Sequence, residues 1–256
     1  MKRKPTFLGQ DSPLNTCMVQ ARTPDEAIRR IRTAAFDGAD AYGIQAEQLL
    51  SEYQTEEIFK KIFSYTSGKP IYATNYGIGC NAGKSGDELA DGLLTLARSG
   101  AHLIDVFGDL YGGNTLGITY DKEAVSKQTE LSGKLHEFGC EVLVSAHTLR
   151  FMKSDEVIEM ALEQRKRGAD ISKIVASANT EDEELENLKT ISLMRRELDF
   201  PFLFLCGGTH TKLVRTVGPM LGSCMWLSTQ YSEICTPTQP MCRAISAIKS
   251  NFDFDR

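Results

Sequence analysis

The sequence lacks any hydrophobic run of the roughly 18 residues that a membrane-spanning helix needs, and no apolar segment follows its basic first residues. It also lacks a basic run or basic-aromatic patch, and its net charge of −5 argues against a nucleic-acid backbone as partner. The seven cysteines include no CxxC pair, so reduced core thiols are favoured over a disulfide framework or a metal site. We therefore expect a cytoplasmic protein that binds neither membranes nor nucleic acids and contains no metal.

Eight short runs of mainly apolar residues recur along the 256 residues. Most are continuously apolar rather than alternating, which is typical of parallel strands covered on the outside by helices. The predicted strands are residues 16–21, 39–45, 70–76, 103–108, 141–147, 171–177, 201–207 and 223–229.

Helix signals alternate with these strands. Cap-forming residues followed by acids predict helix starts, and glycines just before a strand predict helix ends. The starts are at Thr23, Ser154 and Thr180, and the ends are at Gly38, Gly100, Gly139 and Gly168. Eight βα units in about 250 residues predict a single (β/α)8 TIM barrel that spans residues 1–256 as one domain. A doubly wound open sheet is the alternative.

Lys173 lies inside the sixth predicted strand, and His147 ends the fifth. A lysine in a strand more often extends its charge to solvent or forms a buried salt bridge, and a histidine there is often structural. In a TIM barrel, however, the active-site residues lie at the C-terminal ends of the strands, so both side chains can face the same mouth. An amine there can attack a carbonyl, and an imidazole beside it can move protons. The pair predicts Schiff-base chemistry.

Other polar residues follow the later strands. Arg215 can be a solvated helix residue or a bidentate clamp for a substrate carboxylate. Gln239 follows the eighth strand on a proline-containing loop and can bond a hydroxylated substrate. His210 follows the seventh strand and can reach the site, whereas His102 and His136 are predicted to be structural.

Several segments resemble type I 3-dehydroquinate dehydratase, in order along essentially the whole chain. Gly168-Ala-Asp-Ile-Ser-Lys173-Ile-Val is similar to the family's Gly-Ala-Asp-Ile-x-Lys-Ile-Ala, which carries the imine lysine. The segment from Arg215 to Ser223 resembles Arg-Leu-x-Gly-x-x-Phe-Gly-Ser, in which the arginine binds the substrate carboxylate. Weaker likenesses are Val-Ser-Ala-His147, Ile-Asp105-Val, and Cys235-Thr-Pro-Thr-Gln239, which resembles the family's Ser-Ala-Pro-Gly-Gln.

The chain departs from the family's pattern at three strands. The second strand reads Gly43-Ile-Gln45-Ala-Glu47 where the family has Glu-x-Arg-x-Asp. After the third strand, the stretch around Tyr76 has neither the family's Phe-Arg nor the glutamate that orients its histidine. In the fourth strand, Phe107 stands where the family has an acid.

The resemblance implies a dehydratase of the shikimate pathway and of aromatic amino acid biosynthesis. Lys173 would form an imine with a ketone, and His147 would remove the α-proton and help the β-hydroxyl to leave. Arg215, Gln239, Cys235, Gln45 and Tyr76 would bind a small carboxylated keto substrate, without a cofactor, in a possible homodimer. A class I aldolase and a non-catalytic ligand-binding barrel remain the alternatives.

Overall fold

Eight parallel strands form a nearly closed barrel in the computed structural model, which describes residues 6–230 and 237–254. The strands are β1 Leu14–Val19, β2 Ala41–Gln45, β3 Ile71–Thr74, β4 Leu103–Phe107, β5 Glu141–His147, β6 Ile171–Ser177, β7 Phe202–Gly207 and β8 Met225–Thr229. Their order is β7-β6-β5-β4-β3-β2-β1-β8. Cys224, just before β8, donates to the carbonyl of Phe202 in β7 and so joins the two ends of this order. The predicted single TIM barrel is confirmed.

Helices cover the outside of the barrel. They are α1 Pro24–Phe36, α2 Glu56–Phe63, α3 Gly86–Arg98, α4 Lys122–Glu137, α5 Ser154–Lys166, α6 Glu181–Glu197, α7 Lys212–Leu221 and α8 Cys242–Lys249. No helix in the described part of the chain is both long and apolar enough to cross a membrane.

The predicted helix boundaries are mostly correct. Thr23 and Thr180 accept hydrogen bonds from the first turns of α1 and α6, and the four predicted end glycines all have positive φ. Ser154 is the exception, because it is the first residue of α5 and Lys153 is the N-cap. The Ser154 hydroxyl instead lies 2.8 Å from the Thr190 hydroxyl of α6.

The predicted strand boundaries are correct for β5 and β6 and wrong by one or more residues elsewhere. The largest error is at β1, which begins at Leu14 rather than at residue 16. Leu14 and Asn15 pair with β8, so they join the ladder although Asn15 is polar. Gln20 follows the end of β1. The predicted third strand is also too long, because β3 ends at Thr74 and leaves Tyr76 in the following loop.

The hydrophobic residues form separate layers inside and outside the barrel. The larger clusters lie between strands and helices, and a smaller one fills the interior. This interior cluster includes Met18, Tyr72, Leu103, Leu143 and Ile171. Because side chains alternate along a strand, the residues two positions further on, Asp105, Ser145 and Lys173, also face the interior. They are nearer to the C-terminal ends of the strands.

Candidate active site

The Lys173 ammonium group is buried near the C-terminal mouth of the barrel, with 3% of the residue exposed. Its Nζ donates to Asp105 Oδ2 at 2.9 Å, to the Tyr76 hydroxyl at 2.8 Å and to the Tyr72 hydroxyl at 3.0 Å. An ammonium group has three N–H donors, so these acceptors satisfy it fully. The group forms an ion pair with Asp105, which is the buried salt bridge that the sequence left open as the alternative to a reactive amine.

Asp105 contacts every other member of a polar cluster that consists of Lys173, Tyr72, Tyr76 and Ser145. Its Oδ2 also accepts hydrogen bonds from the hydroxyls of Tyr72 and Tyr76, and its Oδ1 accepts one from Ser145. Burial raises the pKa of this carboxyl, but the Lys173 ammonium and the hydrogen bonds outweigh burial and keep the pKa below its ordinary value. The carboxylate is therefore ionised at neutral pH.

Tyr72 and Tyr76 remain protonated. Burial, followed by the neighbouring Asp105 carboxylate, raises the pKa of both phenols well above the ordinary value. Tyr72 comes from β3 and is fully buried. Tyr76 lies in the loop after β3, and its ring packs edge-on to His147 and Phe107 at centroid distances of 5.6 and 5.0 Å.

His147 ends β5 and faces the same interior as Lys173. In the ladder between β5 and β6, Ser145 pairs with Lys173 and His147 pairs with Val175, so His147 lies one side-chain layer above the amine. Its Nε2 is buried and has no hydrogen-bond partner among the described residues. Burial lowers the pKa of His147 most, and the positive charges of Lys173 and Arg215 lower it further, while the negative charge of Asp105 raises it. The resulting pKa is about 3. The imidazole is therefore neutral at pH 7 and is held by aromatic packing.

Arg215 lies in the first turn of α7, after β7, and is buried. Its Nε donates to the Cys206 carbonyl at 2.8 Å and to the Thr211 hydroxyl at 3.2 Å. No carboxylate within residues 6–230 and 237–254 forms an ion pair with it. Burial lowers the pKa of the guanidinium. A buried cation without an acidic neighbour is suited to bind an anion.

Gln45 and Glu47 form a polar group at the end of β2. Gln45 Nε2 donates to Glu47 Oε1 at 3.1 Å, and the Thr74 hydroxyl lies within 3.0 Å of both oxygens of Glu47. Burial raises the pKa of Glu47, although its hydrogen bonds oppose this. Where the resemblance leads us to expect a glutamate, Gly43 leaves space for Met18, whose Sδ would lie 2.2 Å from an added Cβ.

Two further glutamines follow β1 and β8, at Gln20 and Gln239. The buried Oε1 atoms of Gln20, Gln45 and Gln239 have no hydrogen-bond partner within the described ranges. These acceptors are suited to ligand groups that donate hydrogen bonds. Cys235, the other predicted binding residue of this loop, lies outside the described residues.

The remaining histidines lie apart from the lysine. His102 Nδ1 accepts from the backbone of Ile71, at the opposite end of the barrel, and His136 is paired with Asp170. His210 is half-exposed and lies 3.9 Å from Glu184 of α6, so the structure does not bring it to Lys173.

Sequence reasoning missed Tyr72, Ser145 and Gln20 and did not give Asp105 a role in the site. One signal was available. Asp105, Ser145 and Tyr72 are polar groups within apolar strands, in the same alternation as the interior residues. The ion pair itself could be found only once the strand register was known.

The comparisons with known proteins agree with the resemblance. The sequence model of the type I 3-dehydroquinase family matches residues 17–251. No curated protein sequence matches the chain.

Solved structures share the fold at low sequence identity. The 3-dehydroquinate dehydratase from Geobacillus kaustophilus HTA426 has a TM-score of 0.79 and 17% identity, over 96% of this chain and 94% of the other. The type I enzyme from Clostridium difficile, solved with covalently modified comenic acid, has a TM-score of 0.79 and 17% identity, over 98% of both chains. The enzyme from Aquifex aeolicus VF5 has a TM-score of 0.69 and 16% identity, over 93% of this chain and 97% of the other. Because the family match covers nearly the whole barrel, the protein belongs to the type I 3-dehydroquinase family.

Proposed function

We propose that the protein is a Schiff-base-forming dehydratase, a carbon–oxygen lyase that eliminates water from 3-dehydroquinate or a related carboxylated β-hydroxy ketone. The observation that carries this proposal is a buried primary amine at Lys173 next to the unpaired Nε2 of His147. Family membership supports the same reaction class. Absence of a cofactor, a homodimeric state and a cytoplasmic location stay predictions.

Imine formation begins when Lys173 Nζ attacks the substrate carbonyl. Attack requires the neutral amine, and the proton that leaves Nζ can pass to Asp105, which is 2.9 Å away. The Tyr76 hydroxyl contacts both Nζ and Asp105, so it can return that proton to the carbinolamine hydroxyl, which leaves as water. The positive iminium that forms lies beside the Asp105 carboxylate, which stabilises it.

Elimination then uses the iminium as an electron sink. The neutral His147 imidazole removes a proton from the carbon next to the iminium, and the same imidazole returns it to the departing β-hydroxyl. Hydrolysis of the conjugated imine releases the enone and regenerates Lys173. Arg215 binds the carboxylate, while Gln45, Gln239 and Cys235 bind the rest of the substrate.

The direct test is to follow the ultraviolet absorbance of the conjugated enone after the protein is mixed with 3-dehydroquinate. Enone formation supports the proposal. Mass spectrometry of the same mixture distinguishes the aldolase alternative. Dehydration lowers the mass of the substrate by one water, whereas retro-aldol cleavage of a ring bond would give an open-chain dicarbonyl compound of unchanged mass.

Replacing the predicted clamp should change ligand preference. We expect Arg215→Ala to weaken the binding of carboxylated ketones about 10- to 100-fold, because a hydrogen-bonded charge contributes roughly 1.5–3 kcal/mol. The binding of a neutral ketone of similar size is the control and should change little. Isothermal titration with both ligands measures the ratio of the two dissociation constants. If Arg215→Ala leaves this ratio unchanged, Arg215 does not bind the substrate carboxylate.

The Tyr76 hydroxyl should matter for turnover. In Tyr76→Phe we expect kcat to fall by about 10²-fold, because the proton path between Lys173 and Asp105 loses a member while the ring still packs on His147. Tyr72→Phe is the comparison, since the Tyr72 hydroxyl bonds the same Asp105 Oδ2 and Lys173 Nζ but belongs to a fully buried strand residue, whereas Tyr76 is only partly buried. Equal losses of kcat in the two variants would reduce Tyr76 to a positioning role.

A further inference from the structure

A cavity of about 320 Å³ lies on one side of the reacting centre, between the loops after β3 and β4 and the start of α3. Its size is within the usual range of small-molecule sites. The inner wall is formed by Tyr76 and Asp105, which both hold Lys173 Nζ, and by His147. A ligand whose carbonyl carbon is bound to Lys173 can therefore extend directly into this cavity.

The lining of the cavity is largely apolar. Its apolar side chains come from the loops, from α3 and from β4, and are Ile78, Leu89, Leu93, Phe107 and Leu110. Phe107 stands where the resemblance leads us to expect an acid. Besides the inner wall, two polar residues line the cavity. The Asn75 side chain donates to the Leu89 carbonyl and accepts from Asn81. Asp109 accepts a hydrogen bond from the Asn114 backbone, and burial raises its pKa. A hydroxyl group that entered among these aliphatic side chains would lose hydrogen bonds to water.

The cavity and Arg215 lie on different sides of the reacting residues. In the strand order, the cavity is at β3 and β4, His147 and Lys173 are on β5 and β6, and Arg215 follows β7. Arg215 does not line the cavity. The carboxylate of a substrate and the group in the cavity would therefore extend in different directions from the carbonyl carbon. The ionised Asp105 in the wall makes the cavity unfavourable for a second carboxylate.

Taken with the proposed Schiff-base function, on which this inference rests, we infer that the substrate carries a neutral apolar substituent, such as a branched alkyl group, and that this cavity binds it. 3-Dehydroquinate carries hydroxyl groups around its ring and has no such substituent. The protein therefore acts on a carboxylated ketone that is less hydroxylated than 3-dehydroquinate.

Competitive reductive trapping tests this inference. The protein is mixed with cyanoborohydride and equal concentrations of 4-methyl-2-oxopentanoate and 4,5-dihydroxy-2-oxopentanoate, and intact-mass spectrometry measures the two adducts. Pyruvate, which has no group to place in the cavity, is trapped separately as a reference. We expect the branched keto acid to give about tenfold more adduct, the ratio that follows from burying about two methylene-sized groups.

Variants link this preference to the cavity. Leu93→Phe fills it from α3 and should remove most of the tenfold preference while pyruvate is still trapped. Leu94→Phe, on the same helix but outside the lining, is the matched control and should keep the preference. If Leu93→Phe does not fold, Leu110→Gln in the loop should lower the same ratio.

Each outcome decides between the two proposals. Equal trapping of the two competing keto acids, or a preference for the hydroxylated one, would overturn the apolar-substrate inference while leaving the Schiff base standing. Failure of all three keto acids, pyruvate included, to give any adduct would overturn this inference. Failure of 3-dehydroquinate as well, both to form the enone and to give an adduct, would overturn the proposed function.

Discussion

Lys173→Ala should abolish imine formation and also destabilise the fold. No other described lysine lies in a barrel strand, so no amine can replace it. Asp105 would remain buried without its cation, and breaking a buried ion pair in this way costs about 3–5 kcal/mol. Reductive trapping with a keto acid measures the first effect, and denaturant unfolding measures the second.

A double variant separates the two consequences of losing Lys173. In Lys173→Ala/Asp105→Asn the buried charge is gone as well, so we expect part of the lost free energy of unfolding to return, while imine formation stays absent. Persistent trapping in the single variant would show that another amine reacts. Equal stability of wild type and Lys173→Ala would show that the ion pair is not buried as described.

His147→Ala should still form the imine but should stop at that stage. We expect kcat to fall by about 10²- to 10⁴-fold, the usual contribution of a positioned acid–base group. Because the Nε2 atom of His147 has no hydrogen-bond partner among the described residues, its removal should leave the hydrogen bonds of the Lys173 ammonium group intact. His136→Ala is the control, since His136 is paired with Asp170 outside the barrel mouth. Loss of trapping in His147→Ala equal to that in Lys173→Ala would contradict this division of roles.

The low pKa of His147 gives a further expectation for the same residue. Its folded-state pKa of about 3 lies below the ordinary 6.5, so the imidazole stays neutral and able to accept a proton as the pH falls through 6.5. We therefore expect that protonation of His147 causes no fall in kcat/KM around pH 6.5. The pH profiles of the wild type and of the His147 variant should have the same shape in this range. Circular dichroism over the same pH range controls for unfolding. A midpoint near 6.5 would show that the imidazole is more exposed in solution.

The barrel could be predicted because continuously apolar strands and glycine-terminated helices leave a strong pattern in the sequence. β5 and β6 are mainly apolar before His147 and around Lys173, and their boundaries were predicted correctly. β1 was misplaced because Asn15 is polar yet pairs with β8, and that pairing depends on closure of the barrel. Once the strands are located by their apolar pattern, Lys173 and His147 lie toward the C-terminal ends of neighbouring strands. Their shared position at one mouth of the barrel could therefore be predicted as well.

The contacts of the site could not be predicted in the same way. The residues that satisfy Lys173 come from β3, β4 and the loop after β3, 68 to 101 residues away in sequence. Their meeting depends on the register of three ladders and on the width of the barrel interior. The apolar cavity likewise needs α3 and two loops to come together around Phe107.

The most direct test of the account is to treat the protein with 3-dehydroquinate and with a panel of other keto acids in the presence of borohydride, and then to map the modified peptide. The account predicts that at least one keto acid gives a reduced adduct and that the adduct lies on Lys173. A folded protein that binds these ligands through Arg215 but never gives an adduct would contradict it, and would identify the barrel as a non-catalytic ligand-binding protein.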